Sequence, residues 1–347
     1  MTSFVGYARK KGNSLHPGYN PAMKNKGSDT PKVCWMQHGS GSKCFAYAED
    51  VDMSLKSKTC QHASGAQESR ASLEYCREFV SAGNFFYKSV FCGRSLSMEL
   101  KVCHLYPDVL NLYGDRGNIL CMKKRLEWRG IGCRVDNVGI GEKKDLAAYD
   151  LFFIGGGQDF DQEILLEDLR LHKGGQIRAA LEDGKAFLCI CGGYQMMGHY
   201  YKTPDGHYCQ FLGAIDFYTV GGEKRMIGNY AYRLGEESGG ETVVGFENHS
   251  GRTHLGKGLR PLGTVLRGFG NNGEDRTEGV RYKNAFCTYS HGPVLPKNPA
   301  FADVILETAL SRKYGSCSLE PLEDGFERQA HDAVLRQVLR RSWLPGK

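Results

Sequence analysis

Cys191 occupies the position of a nucleophile. It follows an apolar run, Ala186 to Ile190, of the right length for a buried strand, and it precedes Gly192, Gly193 and the helix-compatible segment YQMMGHYY. Strand, tight turn and helix in that order strain the central residue, lift its side chain clear of the sheet and demand small neighbours. The turn also aims the Gly192 amide and the positive end of the following helix at whatever the thiol attacks, and both lower a cysteine's pKa. The alternative is a small buried core thiol, the usual fate of a free cysteine. A cysteine nucleophile needs a base, and histidine is the common choice. His199 and His207 follow the turn too closely to serve. His291 ends the apolar strand of AFCTYSHGPVLPKNP, about one hundred residues on, and His249 in GFENHSGRTHLG is the other candidate.

These residues need a frame that brings them together. ELKVCHLY from Glu99 reads as a strand, and Asp115 or Asn118 is placed to cap a helix carrying Ile119, Leu120, Met122, Leu126 and Trp128. Gly130 ends that helix, CRVDNVGI is the next strand, and YDLFFI is a third that stops at Gly155, Gly156 and Gly157. Helical periodicity then runs to Glu182. Strands alternating with helices predict crossover connections and a mainly parallel sheet with helices on both faces, a three-layer α/β fold. Active sites of such sheets lie beyond the carboxyl ends of the strands, where the glycine turn and the Cys191 turn both fall. Amides near Gly156 are then placed to face the Gly192 amide across a substrate carbonyl as an oxyanion hole. Phosphate binding by the same turn is disfavoured, because GGG is neither a P-loop nor a dinucleotide fingerprint. After Lys202 the pattern turns β-like, and its alternating runs are expected to complete the same sheet as antiparallel ribbons.

The net charge of +6 is unevenly distributed. Residues 1–97 hold 13 Lys/Arg and 7 Asp/Glu, which leaves 32 of each for the remainder. The body shows no footprint for nucleic acid. Residues 1–97 also contain only nine Leu, Ile and Val, so they are expected to be a largely disordered extension, with MELKVCHLYP at Met98 reading like a natural start. No apolar run reaches the ~20 residues of a membrane span, so no membrane insertion and a cytoplasmic location are expected. A zinc site built from Cys34, Cys44, Cys60 and His62 has irregular spacing and is set aside; no metal is expected. The predicted organisation is an extension at 1–97, one α/β domain at 98–314 and a charged helical segment at 315–347, with its helix near Phe326 to Trp343.

Cys191, Gly193 and Gln195 form C-x-G-x-Q, which resembles the nucleophile elbow of class I glutamine amidotransferases, flavodoxin-like in fold. Cys189 stands where that pattern has a glycine. PDVLNLYGDRGN, FIGGGQD, GFENHSGRT and YSHGPVLPKNP join it in order and resemble the cobyric acid synthase (CobB/CobQ-like) type of glutaminase domain. Within that type they are most similar to the GatD family, the glutaminase subunits of lipid II isoglutaminyl synthases. The resemblance implies glutamine as substrate, Cys191 as nucleophile, His291 as base, and Arg225 of GGEKRMIGN as the grip on the α-carboxylate, with Gln195, Gly156 and Gly192 at the substrate. Pro293 stands where a triad glutamate is common, so a dyad is implied. It further implies a heterodimer that passes ammonia to a Mur-ligase-like, ATP-using partner, which amidates D-glutamate of the lipid II stem peptide. No ATP loop appears in this sequence, so no cofactor of its own is expected and ATP is expected on the partner. Two other readings stay open: a glutaminase serving another synthetase, as in cobalamin biosynthesis, and a non-catalytic α/β binding subunit.

Overall fold

The computed structural model describes residues 32–37, 43–48, 98–157 and 163–340. The chain divides into two compact units, Met1–Ser95 and Leu96–Lys347. In the first, β1 (Lys32–Gln37) and β2 (Lys43–Ala48) form an antiparallel ribbon. The disorder expected elsewhere in 1–97, and the set-aside zinc residues Cys60 and His62, lie outside the described residues.

The second unit is built on a six-stranded sheet. Its members are β3 (Glu99–Leu105), β4 (Gly132–Val138), β5 (Leu151–Ile154), β6 (Ala186–Ile190), β13 (Val280–Tyr282) and β14 (Ala285–Thr288), in the order β13-β14-β6-β5-β3-β4. All neighbours are parallel except β13, which pairs antiparallel at the edge. Every residue of β5, β6 and β14 is buried, as strands covered on both faces must be. Helix α1 (Arg116–Glu127) links β3 to β4. The connection from β5 to β6 runs the other way across the sheet, through α2 (Glu163–Glu167), a π-helical stretch Asp168–Lys173, and α3 (Gly174–Glu182). Right-handed crossovers in opposite directions put α1 and α3 on opposite faces, which gives the three expected layers.

The β-like region corrects one expectation. Its strands do not extend the first sheet but form a second one, because they are all inserted between β6 and β14. β7 (Tyr200–Lys202), β8 (Tyr208–Gln210), β9 (Phe217–Leu234), β11 (Gly263–Arg267) and β12 (Thr277–Glu278) lie in the order β12-β11-β9-β7-β8, and β10 (Thr242–Leu255) pairs with β9 over most of its length. Only β13 and β14 return to the first sheet. The helix expected over YQMMGHYY is likewise shorter: α4 covers Gly192–Gln195, and Tyr200 already begins β7. Gly198 makes the turn between them, where a Cβ would lie only 2.7 Å from the Phe217 carbonyl oxygen.

The tail is tied into this unit. Helix α5 (Pro299–Tyr314) carries Asp303, and α6 (Gly325–Arg340) follows Asp324. Arg125 on α1 forks onto both carboxylates with four contacts of 2.7 Å. Val338 of α6 packs on Ala231 and Val244 of the second sheet. No helix among the described residues is long and apolar enough to cross a membrane.

Candidate active site

Four strands of the first sheet end at one place. The turn after β6 holds Cys191 at φ 48°, ψ −101°, a region that side-chain-bearing residues rarely adopt. Neighbouring strand ends hold it there: the Cys191 N–H donates to the Thr288 carbonyl (2.8 Å), and the Gly193 N–H donates to the Gly155 carbonyl (3.1 Å). Gly193 has no room for a side chain, since a Cβ would lie 2.5 Å from the Ile154 carbonyl oxygen. The elbow therefore forms without the glycine its pattern usually has at position 189. Cys189 stays inside the sheet beside Cys287, and burial pushes its thiol well above the ordinary range, with Cys287 adding to the rise. With a helix of one turn, little macrodipole acts on Cys191.

His291 follows β14 and is fully buried. Its backbone pairs with Phe246 of the second sheet through reciprocal bonds of 2.8 and 3.4 Å. This bridge places a residue from the end of the first sheet against β10. Its Nδ1 donates to Asp115 Oδ2 at 3.1 Å. Burial on its own would lower the pKa of His291. The negative charge of an ionised Cys191 and the contacts with Asp115 outweigh it and raise the value to about 10. The site is built to hold an imidazolium next to the sulfur, and Nε2 has no hydrogen-bonded oxygen or nitrogen partner among the described residues.

Asp115 corrects two expectations. The imidazole is oriented, so the array is Cys-His-Asp and not a bare dyad; the orienting group comes from the other end of the domain instead of from the position of Pro293. Asp115 does precede α1, as a cap would, yet its side chain makes no capping bond. Its Oδ2 accepts from His291 and from the Gly156 N–H (2.9 Å). The Gly156 amide is thus committed to Asp115 and is not free as an oxyanion donor. Gly156 is needed for a different reason, since a Cβ there would lie 2.4 Å from His291 Cε1.

Arg225 lies within β9, not in a loop, and its side chain is exposed. It reaches the site through intermediaries that sequence reading missed. Nε donates to Asn248 Oδ1 (2.8 Å) and Nη2 to the Asn248 carbonyl (3.2 Å). Asn248 Nδ2 donates to the Tyr113 hydroxyl, and the Tyr113 ring stands edge-on to His291 with centroids 5.0 Å apart. Gln195 turns inward: it is buried, and its Nε2 donates to the Tyr289 hydroxyl (3.0 Å). His249 is buried as well, stacked on Tyr289 at 3.6 Å with Nδ1 against the Gly251 carbonyl (2.8 Å). Burial lowers its pKa to about 3, and the charges of His291 and Arg225 add to the effect. No group of three or more His, Cys, Asp or Glu among the described residues is arranged to hold a metal. The signal for Asp115, Tyr113 and Asn248 was their presence in the quoted motifs; nothing local separated them from turn formers.

A doubly wound sheet with a strained cysteine at the end of a central strand, and a histidine and a carboxylate converging on it, defines the class I glutamine amidotransferase type of protein. The chain belongs to the CobB/CobQ-like glutamine amidotransferase domain family, whose model matches residues 101–299. It is 40% identical over 243 residues to the lipid II isoglutaminyl synthase (glutamine-hydrolyzing) subunit GatD of Staphylococcus aureus (strain N315), covering 70% of this chain and 98% of that one. To the subunit of the same name from Streptococcus pneumoniae (strain ATCC BAA-255 / R6) it is 43% identical over 250 residues, covering 72% and 92%. A cobyric acid synthase from Pelotomaculum thermopropionicum (strain DSM 13744 / JCM 10971 / SI) is 33% identical over 177 residues, covering 46% of this chain and 32% of the synthase.

Proposed function

We propose that this chain is the cytoplasmic glutaminase subunit of a heterodimer that amidates lipid II. The observation that carries the reading is the array in which Asp115 orients His291 and His291 faces Cys191. Cys191 Sγ attacks the side-chain amide carbon of glutamine, and the Gly192 amide donates to the oxyanion. His291 gives its Nε2 proton to the amide nitrogen as the C–N bond breaks, releasing ammonia and leaving a thioester. Water then attacks the thioester while neutral His291 takes a proton, and glutamate departs with the thiolate restored. Asp115 keeps its charge throughout and stabilises the imidazolium. Arg225 holds the α-carboxylate, a task suited to a guanidinium fork.

The ammonia is proposed to pass to a Mur-ligase-like partner that activates the stem-peptide carboxylate of D-glutamate with ATP. The names of the two GatD relatives, each a glutamine-hydrolyzing subunit of a lipid II isoglutaminyl synthase, and the length of chain shared with them support action on lipid II within a complex. The Mur-ligase-like partner and its ATP rest on the family resemblance. A role in cobalamin biosynthesis is less well supported, because the cobyric acid synthase is matched over only about a third of its length. The test is glutamate release from glutamine by the full chain, alone and with its co-purified partner. Cys191→Ala is expected to abolish release while Cys189→Ala keeps most of it. Equal loss from both folded variants would refute the assignment of the nucleophile.

A further inference from the structure

Arg225 spends part of its donor set inside the protein. Nε and Nη2, which share one edge of the guanidinium plane, are both held by Asn248. The two Nη1 hydrogens and the remaining Nη2 hydrogen point from the far end of the group, and the side chain is exposed. On its other side Asn248 donates to the Tyr113 hydroxyl. Tyr113 is wedged between Phe246 and His291, at centroid separations of 5.6 and 5.0 Å, and its backbone is held left-handed at φ 54°. Its Leu112 neighbour is fixed in turn, the N–H donating to the Gly156 carbonyl at 2.9 Å. The exposed arginine is therefore linked to the buried histidine through two side chains 135 residues apart in sequence.

Resting on the glutaminase reading, we propose that Asn248 and Tyr113 are positioning residues that set the distance between the carboxylate fork and the nucleophile, and thereby select glutamine by length. With its Nε edge taken, Arg225 grips a carboxylate end-on through Nη1 and Nη2. A free arginine would follow its substrate, because its side chain has rotamer freedom to lose. A clamped one cannot, so an amide one methylene closer to the carboxylate, as in asparagine, falls short of Cys191 when its carboxylate is seated. Discrimination by length then comes from the stiffness of the clamp.

The test reads substrate binding without needing turnover: the amino-acid concentration that halves the rate at which iodoacetamide alkylates Cys191 in the full chain. Asn248→Ala is expected to raise that concentration for glutamine about tenfold and to narrow the gap between glutamine and asparagine, while alkylation without amino acid proceeds at the wild-type rate. Tyr113→Phe, which keeps the ring against His291 and loses only the hydroxyl link, is expected to shift in the same direction by about threefold. In Arg225→Lys the added Asn248→Ala change should cost nothing further, since both act through one group. Additive losses, an unchanged glutamine-to-asparagine ratio, or slowed alkylation of the unliganded Asn248→Ala protein would overturn the clamp. A wild-type chain whose Cys191 is alkylated equally fast at every glutamine concentration would instead overturn the glutaminase reading on which it rests.

Discussion

His291 and His249 sit on two sides of one site, both buried, and they hold opposite charge states. His249 is held neutral down to about pH 3, chiefly by burial, and the charges of His291 and Arg225 lower it further. Its Nδ1 meets a backbone carbonyl, and its Nε2 lies 4.0 Å from Glu247, whose own carboxyl burial raises to about 8. His291 is buried just as deeply, yet Cys191 and Asp115 keep it charged up to about pH 10. The difference teaches that burial lowers both imidazoles and that partners decide whether it prevails. A carboxylate in direct contact with Nδ1 and an ionised sulfur at the other nitrogen outweigh it at His291, whereas a backbone carbonyl and a Glu247 carboxyl itself raised by burial do not at His249. A carboxylate behind the ring and an ionised sulfur in front hold an imidazolium, the form the proposed proton donor needs. A carbonyl behind and a tyrosine ring against the face make a rigid packing piece.

The largest effect that can break this comparison is on the proton donor itself. His291→Gln removes the proposed donor of a proton to the departing amide nitrogen, and kcat for glutamine hydrolysis should fall by roughly 10²–10⁴-fold. His249→Phe should lower it less than about tenfold. If the two variants lose activity equally in folded protein, the distinction between donor and packing piece is wrong.

Asp115→Asn is expected to come next. The amide can still accept from the Gly156 N–H or from His291, but the negative charge behind the ring is gone, so the pKa of His291 falls. The alkaline limb of the pH–rate profile should move to lower pH, and kcat/KM at neutral pH should drop on the order of tenfold to a hundredfold. An unmoved alkaline limb would mean that Asp115 only shapes the loop.

The smallest effect is on stability, and its sign differs between the two rings. The folded pKa of His291 lies above the ordinary 6.5, so its contribution is complete below about pH 6.5 and is lost as pH rises from there toward about 10. The folded pKa of His249 lies below 6.5, so its contribution is complete above about pH 6.5 and is lost as pH falls toward about 3. Thermal unfolding followed across both windows should therefore show a shallower acid slope in His249→Phe and a shallower alkaline slope in His291→Gln. Identical slopes in wild type and variants would show that neither ring changes its protonation on folding.

Much of this protein was legible in its sequence because periodicity is a local property. The all-apolar runs at Leu151–Ile154 and Ala186–Ile190 read as buried strands, the helical spacing after Asn118 as a crossover, and a cysteine between such a run and two glycines as standing at the strand's carboxyl end. The apolar strand before it suggested that His291 reaches that edge, with His249 as the other candidate. What only the tertiary structure decided was which polar group meets which. Asp115 read as a helix cap, yet it meets His291, 176 residues away, and takes the Gly156 amide that was expected to face substrate. Gln195 faces Tyr289, and Arg225 is held by Asn248. The ribbons after Lys202 form a sheet of their own because β14, not they, occupies the place beside β6. A hydrogen bond between side chains far apart in sequence leaves no periodic trace, since any nearby acceptor satisfies the donor equally well. Strand order alone chooses the partner, and strand order exists only once the chain has folded.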